Sequence, residues 1–221
     1  MIPLYDDIKS RRRPIVNYIF IATCTLVWMI QASRSPEMFE WQIKYYGMTP
    51  ARIIQGQNLW TLVTSIFFHG GWFHFLGNML YLWIFGDNVE DTFGHLLYPL
   101  VYILSGIAGN LFQIIVAPHS SIPTIGASGA ISGVMGAYFV LYPRARVLTL
   151  VPFLFFIRLV YIPASILLGF WILLQILYGC SSAPGTGGGI AYFAHIGGFV
   201  IGIIFGLLIR KRFNRLWYEV Y

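Results

Sequence analysis

Apolar residues in this chain do not alternate with polar ones; they come in long blocks separated by short polar or glycine-rich connections. Crossing a hydrocarbon core of about 30 Å takes around 20 apolar residues in a helix. Six blocks approach that length, at 15–32, 72–89, 96–117, 125–142, 162–179 and 190–209. The pattern predicts an all-α polytopic membrane protein, a bundle of six transmembrane helices over residues 15–209. Residues 1–14 form a basic leading segment and 210–221 a basic tail. The first block follows Arg11-Arg12-Arg13, as the apolar stretch of a secretory signal would, but no A-x-A-like cleavage site follows it, so it is read as a retained helix. A further apolar run at 147–157 is too short to span and is expected to be interfacial or re-entrant. No repeat and no second domain are detectable.

Composition agrees with the blocks. Of 221 residues 57% are hydrophobic and only 10% charged, too little charge to cover a soluble globule of this size. Disorder is excluded on the same ground. The 23 glycines recur inside the blocks, as expected where helices pack closely in lipid. The two cysteines, Cys24 and Cys180, make no disulfide framework and read as small packing residues.

The net charge of +6 acquires a meaning once the basic residues are placed. With six spans, Lys9, Arg11–Arg13, Arg144, Arg146, Arg158, Arg210–Arg212 and Arg215 share one side, while Arg34, Lys44 and Arg52 lie on the other. Eleven of the 14 basic residues therefore mark the cytoplasmic face, with both termini on it. No nucleic-acid partner is needed to account for them. The outer connection 33–71 carries Trp41, Tyr45, Tyr46 and Trp60, aromatics suited to the headgroup level, and is expected to rest on the outer leaflet. The stretch 181–189, with no large side chain, is expected to form a mobile cap.

Polar groups inside hydrocarbon cost several kcal/mol unless paired, so the few retained there are functional candidates. Ser128 opens the fourth block and His195 lies in the sixth. Each stands 14 residues from the inner end of its block, about 21 Å at 1.5 Å per residue, so the two share a depth. His195, Gly198, Gly202 and Gly206 form one stripe; Ser128, Ser132 and Gly136, flanked by Gly129 and Gly133, form another. Two such stripes can pack backbone to backbone and bring the hydroxyl to the imidazole, which would activate it as a nucleophile. His74 and Asn78, four residues apart, share a face of the second helix. Taken singly, each of these residues also has a packing explanation; their common depth favours chemistry.

These residues resemble the rhomboid intramembrane serine proteases over about 60–206. Gly126-Ala-Ser128-Gly129 is similar to the family's GxSG nucleophile motif, and Ala194-His195-x-Gly-Gly198, continued by Gly202 and Gly206, to its AHxGG helix. His74-x-x-x-Asn78 resembles the HxxxN pair of the oxyanion hole, and Gly86-x-x-x-Glu90-x-x-x-Gly94 the structural GxxxExxxG signature. The resemblance implies Ser128 as nucleophile, His195 as general base, and Asn78, His74 and the Ser128 backbone N–H as oxyanion donors. Glu90, Gly126, Gly129, Gly198, Gly202 and Gly206 would be structural. It further implies a prokaryotic plasma (inner) membrane and transmembrane-helix proteins as substrates, cut near the outer leaflet.

Two positions depart from the family: Thr61 follows Trp60 where Arg is frequent, and Ser132 stands where some members have a Tyr against the catalytic His. With no Asp or Glu nearby, a Ser–His dyad is expected, and the orientation of His195 is unassigned. No cofactor is implied. No metal is expected, because Cys24 and Cys180 do not converge with the histidines. The rival readings are a catalytically silent rhomboid-like protein that binds membrane helices and, with less support, a small transporter or channel.

Overall fold

The computed structural model describes residues 1–153, 156–181 and 189–218. The glycine-rich stretch expected to cap the site thus lies almost wholly outside the described residues. The elements are β1 (Ile2–Asp6), α1 (Ile15–Ala32), α2 (Pro36–Tyr46), α3 (Pro50–Ile54), α4 (Thr61–Thr64), a 3-10 turn (Ser65–Phe67), α5 (Trp72–Val116), α6 (Ser128–Leu141), β2 (Arg146–Phe153), β3 (Phe156–Pro163), α7 (Ala164–Ser181) and α8 (Tyr192–Tyr218).

Four of these helices, α1, α5, α7 and the Tyr192–Arg210 part of α8, are long and apolar enough to cross a membrane, while α6 has 14 residues. The second and third predicted spans run together in α5, whose 45 residues are interrupted at Gly94. Gly94 takes φ +75°, the left-handed region that favours glycine. Beyond it the chain doubles back: Gln113, near the end of α5, lines the same cavity as Gly70 and His74 at its start.

The conformation of Gly94 is one part of a local device. α1 begins after Pro14 with no side-chain cap of its own. Glu90, 1% exposed, supplies one from α5: its Oε1 accepts from Val16 N at 2.9 Å and its Oε2 from Asn17 N at 2.7 Å. These are two of the helix donors that lack an internal partner, and a carboxylate suits the positive end of the helix. His95 Nδ1 sits 2.6 Å from the same carboxylate. Gly86 lets α1 come this close, because a Cβ there would collide with the Asn17 side chain.

The chain is mostly helical, as expected, and a small three-stranded sheet stands beside the helices. Within the run 147–157, expected to be interfacial or re-entrant, residues 147–153 and 156–157 belong to an antiparallel pair, β2–β3, with Leu148 opposite Tyr161 and Leu150 opposite Leu159. β1, drawn from the leading basic segment, adds antiparallel to β2 with Ile2 opposite Leu150 and Asp6 opposite Val147. The physical reason lies in composition: Val147, Val151, Ile157, Val160 and Ile162 are β-branched and suit a pleated ladder. The sheet is anchored to the helices through Asp6, which accepts from Asn88 Nδ2 at 2.8 Å and from the Tyr138 hydroxyl. Tyr5 and Tyr161 hydroxyls meet at 2.8 Å.

The core sits among α1, α5, α6 and α8, with Trp28, Leu82, Phe85, Tyr98, Tyr102 and Tyr138 fully enclosed. Large apolar residues also cover the outside: Phe73 is 95% exposed, Leu96 86% and Ile115 72%. A molecule apolar both inside and out is built for lipid contact. Both cysteines are free, Cys24 buried and Cys180 exposed.

Candidate active site

α6 and α8 meet along glycine. A Cβ on Gly198 would overlap the Gly129 carbonyl oxygen, one on Gly202 the Gly133 carbonyl oxygen, and one on Gly136 the Phe199 carbonyl oxygen. Gly206 is less tight, its Cβ position 3.2 Å from Ala137 Cα. The spacing of four on both helices keeps the seam in register over three turns, and missing side chains let the backbones touch.

At the upper end of that seam the two chemistry-bearing groups face each other. Ser128 is the first residue of α6 and His195 lies in the first turn of α8. His195 Nε2 is 2.8 Å from Ser128 Oγ. The other ring nitrogen, Nδ1, is 2.8 Å from Gln175 Oε1 of α7. Trp171, one turn earlier on α7, lies beside the imidazole with ring centroids 5.7 Å apart and an interplanar angle of 33°. Ser132, at the family's Tyr position, turns away and donates to the Ser128 carbonyl at 2.6 Å. Gln175 and Trp171 were not singled out from sequence. The available signal was a lone amide in an otherwise apolar span.

His74 and Asn78 complete the cluster from α5. The His74 ring is packed against Gly126, which takes φ +124°; a Cβ on Gly126 would lie 2.6 Å from His74 Nε2. The Gly126 N–H donates to Ser65 O at 2.9 Å, which holds the turn leading into α6. His74 Nδ1 is 3.4 Å from Gly70 N. Asn78 is 7% exposed, and its amide Nδ2 has no hydrogen-bond partner among the described residues. A buried donor without an acceptor is costly and is found where an acceptor arrives with a ligand. His74, Asn78, Gln113, Ser128, Trp171 and His195 line a cavity of about 970 Å³.

The structure therefore gathers Ser128, His195, His74, Asn78, Gly126 and Gly129 in one place and strings Gly198, Gly202 and Gly206 along the helix seam. Glu90 is remote from the cavity, at the start of α1. His69 is fully buried, with its backbone N–H donating to Gln31 Oε1 at 3.0 Å. Asn110 of α5 donates to Leu62 O and to Ser65 Oγ, each at 2.9 Å, and so ties α5 to the outer connection. Among the described residues no three His, Cys, Asp or Glu side chains converge to hold a metal ion.

The arrangement can be set against known proteins. The family model of the Rhomboid domain matches residues 56–212. RHOMBOID-like protein 6, mitochondrial, of Arabidopsis thaliana is 28% identical over 76% of this chain and 49% of its own length. Rhomboid protein 1, mitochondrial, of Saccharomyces cerevisiae is 30% identical over 68% of this chain and 42% of its own. Rhomboid protease GluP of Bacillus subtilis is 32% identical over 57% of this chain and 24% of its own. The chain thus spans about half or less of the length of these relatives. Two of the three are named as mitochondrial, so they do not support the expected prokaryotic plasma membrane; the apolar helices and the relatives together indicate a membrane protein. On the match over 56–212, the chain belongs to the rhomboid family.

Proposed function

We propose that this protein is an intramembrane serine endopeptidase that cleaves transmembrane segments of other membrane proteins near the outer leaflet. The observation that carries the reading is the 2.8 Å approach of His195 Nε2 to Ser128 Oγ inside a cavity of about 970 Å³. His195 removes the hydroxyl proton as Ser128 Oγ attacks the scissile carbonyl carbon. The tetrahedral oxyanion is met by Asn78 Nδ2, His74 and the Ser128 backbone N–H at the start of α6, where the helix dipole favours negative charge. The intermediate collapses as His195 returns the proton to the leaving amine, giving an acyl-enzyme. Water then attacks the ester with His195 as base, and the second product leaves as a carboxylic acid. No metal or cofactor takes part.

The same reading assigns six membrane crossings with both ends of the chain cytoplasmic. In support, α5 would measure about 68 Å at 1.5 Å per residue, more than twice a core of about 30 Å, and its arms run antiparallel about Gly94. The pairing of β1 with β2 also fits an even number of crossings between them.

Incubation of the purified protein with a fluorophosphonate and with a transmembrane reporter substrate tests the proposal. Labelling at Ser128, and cleavage lost in Ser128→Ala and His195→Ala, are expected. Cleavage by Ser128→Ala equal to wild type would reject the protease reading, and a protein that neither labels nor cleaves would be a helix-binding rhomboid relative.

A further inference from the structure

We propose that Gln175 is the positioning residue of His195, holding the imidazole in the tautomer that leaves Nε2 free to take the Ser128 proton; this rests on the reading of Ser128 and His195 given above. His195 Nδ1 faces Gln175 Oε1 at 2.8 Å while the amide Nε2 of Gln175 points back to the Trp171 carbonyl at 3.5 Å, one turn earlier on α7. With the amide in that orientation, the group offered to Nδ1 is an acceptor carrying no proton. Nδ1 is then the protonated nitrogen, and the lone pair of Nε2 is directed at Ser128 Oγ. A reversed amide would offer a donor to Nδ1 and leave the proton on Nε2, the tautomer that cannot act as base.

Among the described residues, Gln175 is the hydrogen-bond partner of His195 Nδ1. Among the described residues, Ser128 from α6 and Gln175 from α7 hydrogen-bond His195 and Trp171 flanks its ring; the titratable side chains that line the cavity with it are His74, Tyr81 and Tyr192, and none of the lining side chains is acidic. The Ser132 hydroxyl is committed to the Ser128 carbonyl. Trp171 limits tilting of the ring but does not distinguish its nitrogens. Gln175 is buried, 8% exposed, on an apolar helix that turns Ile166, Phe170, Leu173, Ile176 and Leu177 outward. An amide retained at such a position calls for a partner, and the imidazole is that partner. An orienting role usually given to a carboxylate is thus taken by an uncharged group, which avoids burying a negative charge in the membrane.

The test compares wild type, Gln175→Leu, Gln175→Glu and Gln175→Asn by steady-state cleavage and by the rate of fluorophosphonate labelling, with Ser128→Ala as the blank. Leu keeps the volume and removes the acceptor, Glu keeps the acceptor, and Asn withdraws it by one methylene. Expected are a fall of about 10- to 100-fold in kcat and labelling rate for Leu and Asn, with KM nearly unchanged, and activity within about threefold of wild type for Glu. A side chain that only fills space gives the opposite order, with Leu tolerated and Glu harmful. That order, or Leu within twofold of wild type, overturns the proposal. Thermal unfolding is measured on each variant; if the Leu protein does not fold, an unimpaired Asn protein or a folded but inactive Glu protein overturns it equally. Wild type cleaving no faster than Ser128→Ala would instead defeat the dyad itself, a result distinct from every Gln175 outcome.

Discussion

Gly202 of α8 lies so near Gly133 of α6 that a methyl group on Gly202 would overlap the Gly133 carbonyl oxygen. The seam between these helices sets the separation of Ser128 and His195, which are joined to it by continuous helix above. Gly202→Ala is therefore expected to lower stability by about 1–3 kcal/mol through overpacking. It should also cut cleavage by on the order of 100-fold, the penalty of a displacement of about 1 Å between reacting groups. Gly206→Ala, where the added carbon meets Ala137 Cα at 3.2 Å, should be milder. Thermal midpoints and cleavage rates of the pair read out the gradient.

Asn78 supplies the second prediction. Its buried amide donor has no partner among the described residues, and the proposed mechanism gives it one only as the oxyanion forms. Asn78→Ala should lower kcat by roughly 10²–10³ while leaving KM almost unchanged. A raised KM with kcat unchanged would place Asn78 in ground-state binding instead.

Glu90 separates stability from chemistry. Its carboxylate accepts from the Val16 and Asn17 N–H groups and from His95, so Glu90→Gln replaces one of its two acceptor oxygens with a donor. A loss of about 1–3 kcal/mol is expected, seen as a lower thermal midpoint. The fraction that stays folded should still label at Ser128, because α1 capping lies far from the cavity.

Asp6 sets a pH dependence outside the bilayer. Partial burial pushes its carboxyl from 3.8 up to about 6, against the Tyr138 hydroxyl, which favours the ionised form, and with help from the nearby Asp87 charge. Between about pH 4 and 6 the unfolded chain has released this proton while the folded protein retains it. The unfolded state then binds fewer protons, so this group's contribution to stability falls as pH rises through that window. Asp6→Asn keeps an acceptor for Tyr138 and Asn88 and should flatten this part of the profile. Thermal midpoints of both proteins between pH 4.5 and 7.5 check the sign.

Much of the site could be read in the sequence because polar residues are rare in apolar spans. Ser128, His195, His74 and Asn78 stood out for that reason, and spacing of three and four put them on usable helix faces. The sheet was illegible for a related cause: an unbroken apolar run such as 147–157 fits a buried helix segment and a strand equally well, and only its β-branched residues argue for the latter. Gln175 is polar too, yet nothing local says which way it points. Its partner depends on the rotation of α7 against α8, which tertiary packing decides. The burial of His69 was hidden for the same reason, since the segment after Phe67 is held by Gln31 from another helix.

The strand pairing that closes the sheet also orders events during synthesis. Asp7 accepts from Arg146 N across a separation of 139 residues. At about 5–20 residues per second, β1 waits roughly 7 to 28 s after translation before its partner exists. Through that interval its ladder groups are open to any passing strand. Pro3, which lacks an N–H, and the charges of Asp6 and Asp7 make it a poor template for wrong partners. The earliest-made strand is therefore among the last to settle, and its composition suits it to wait.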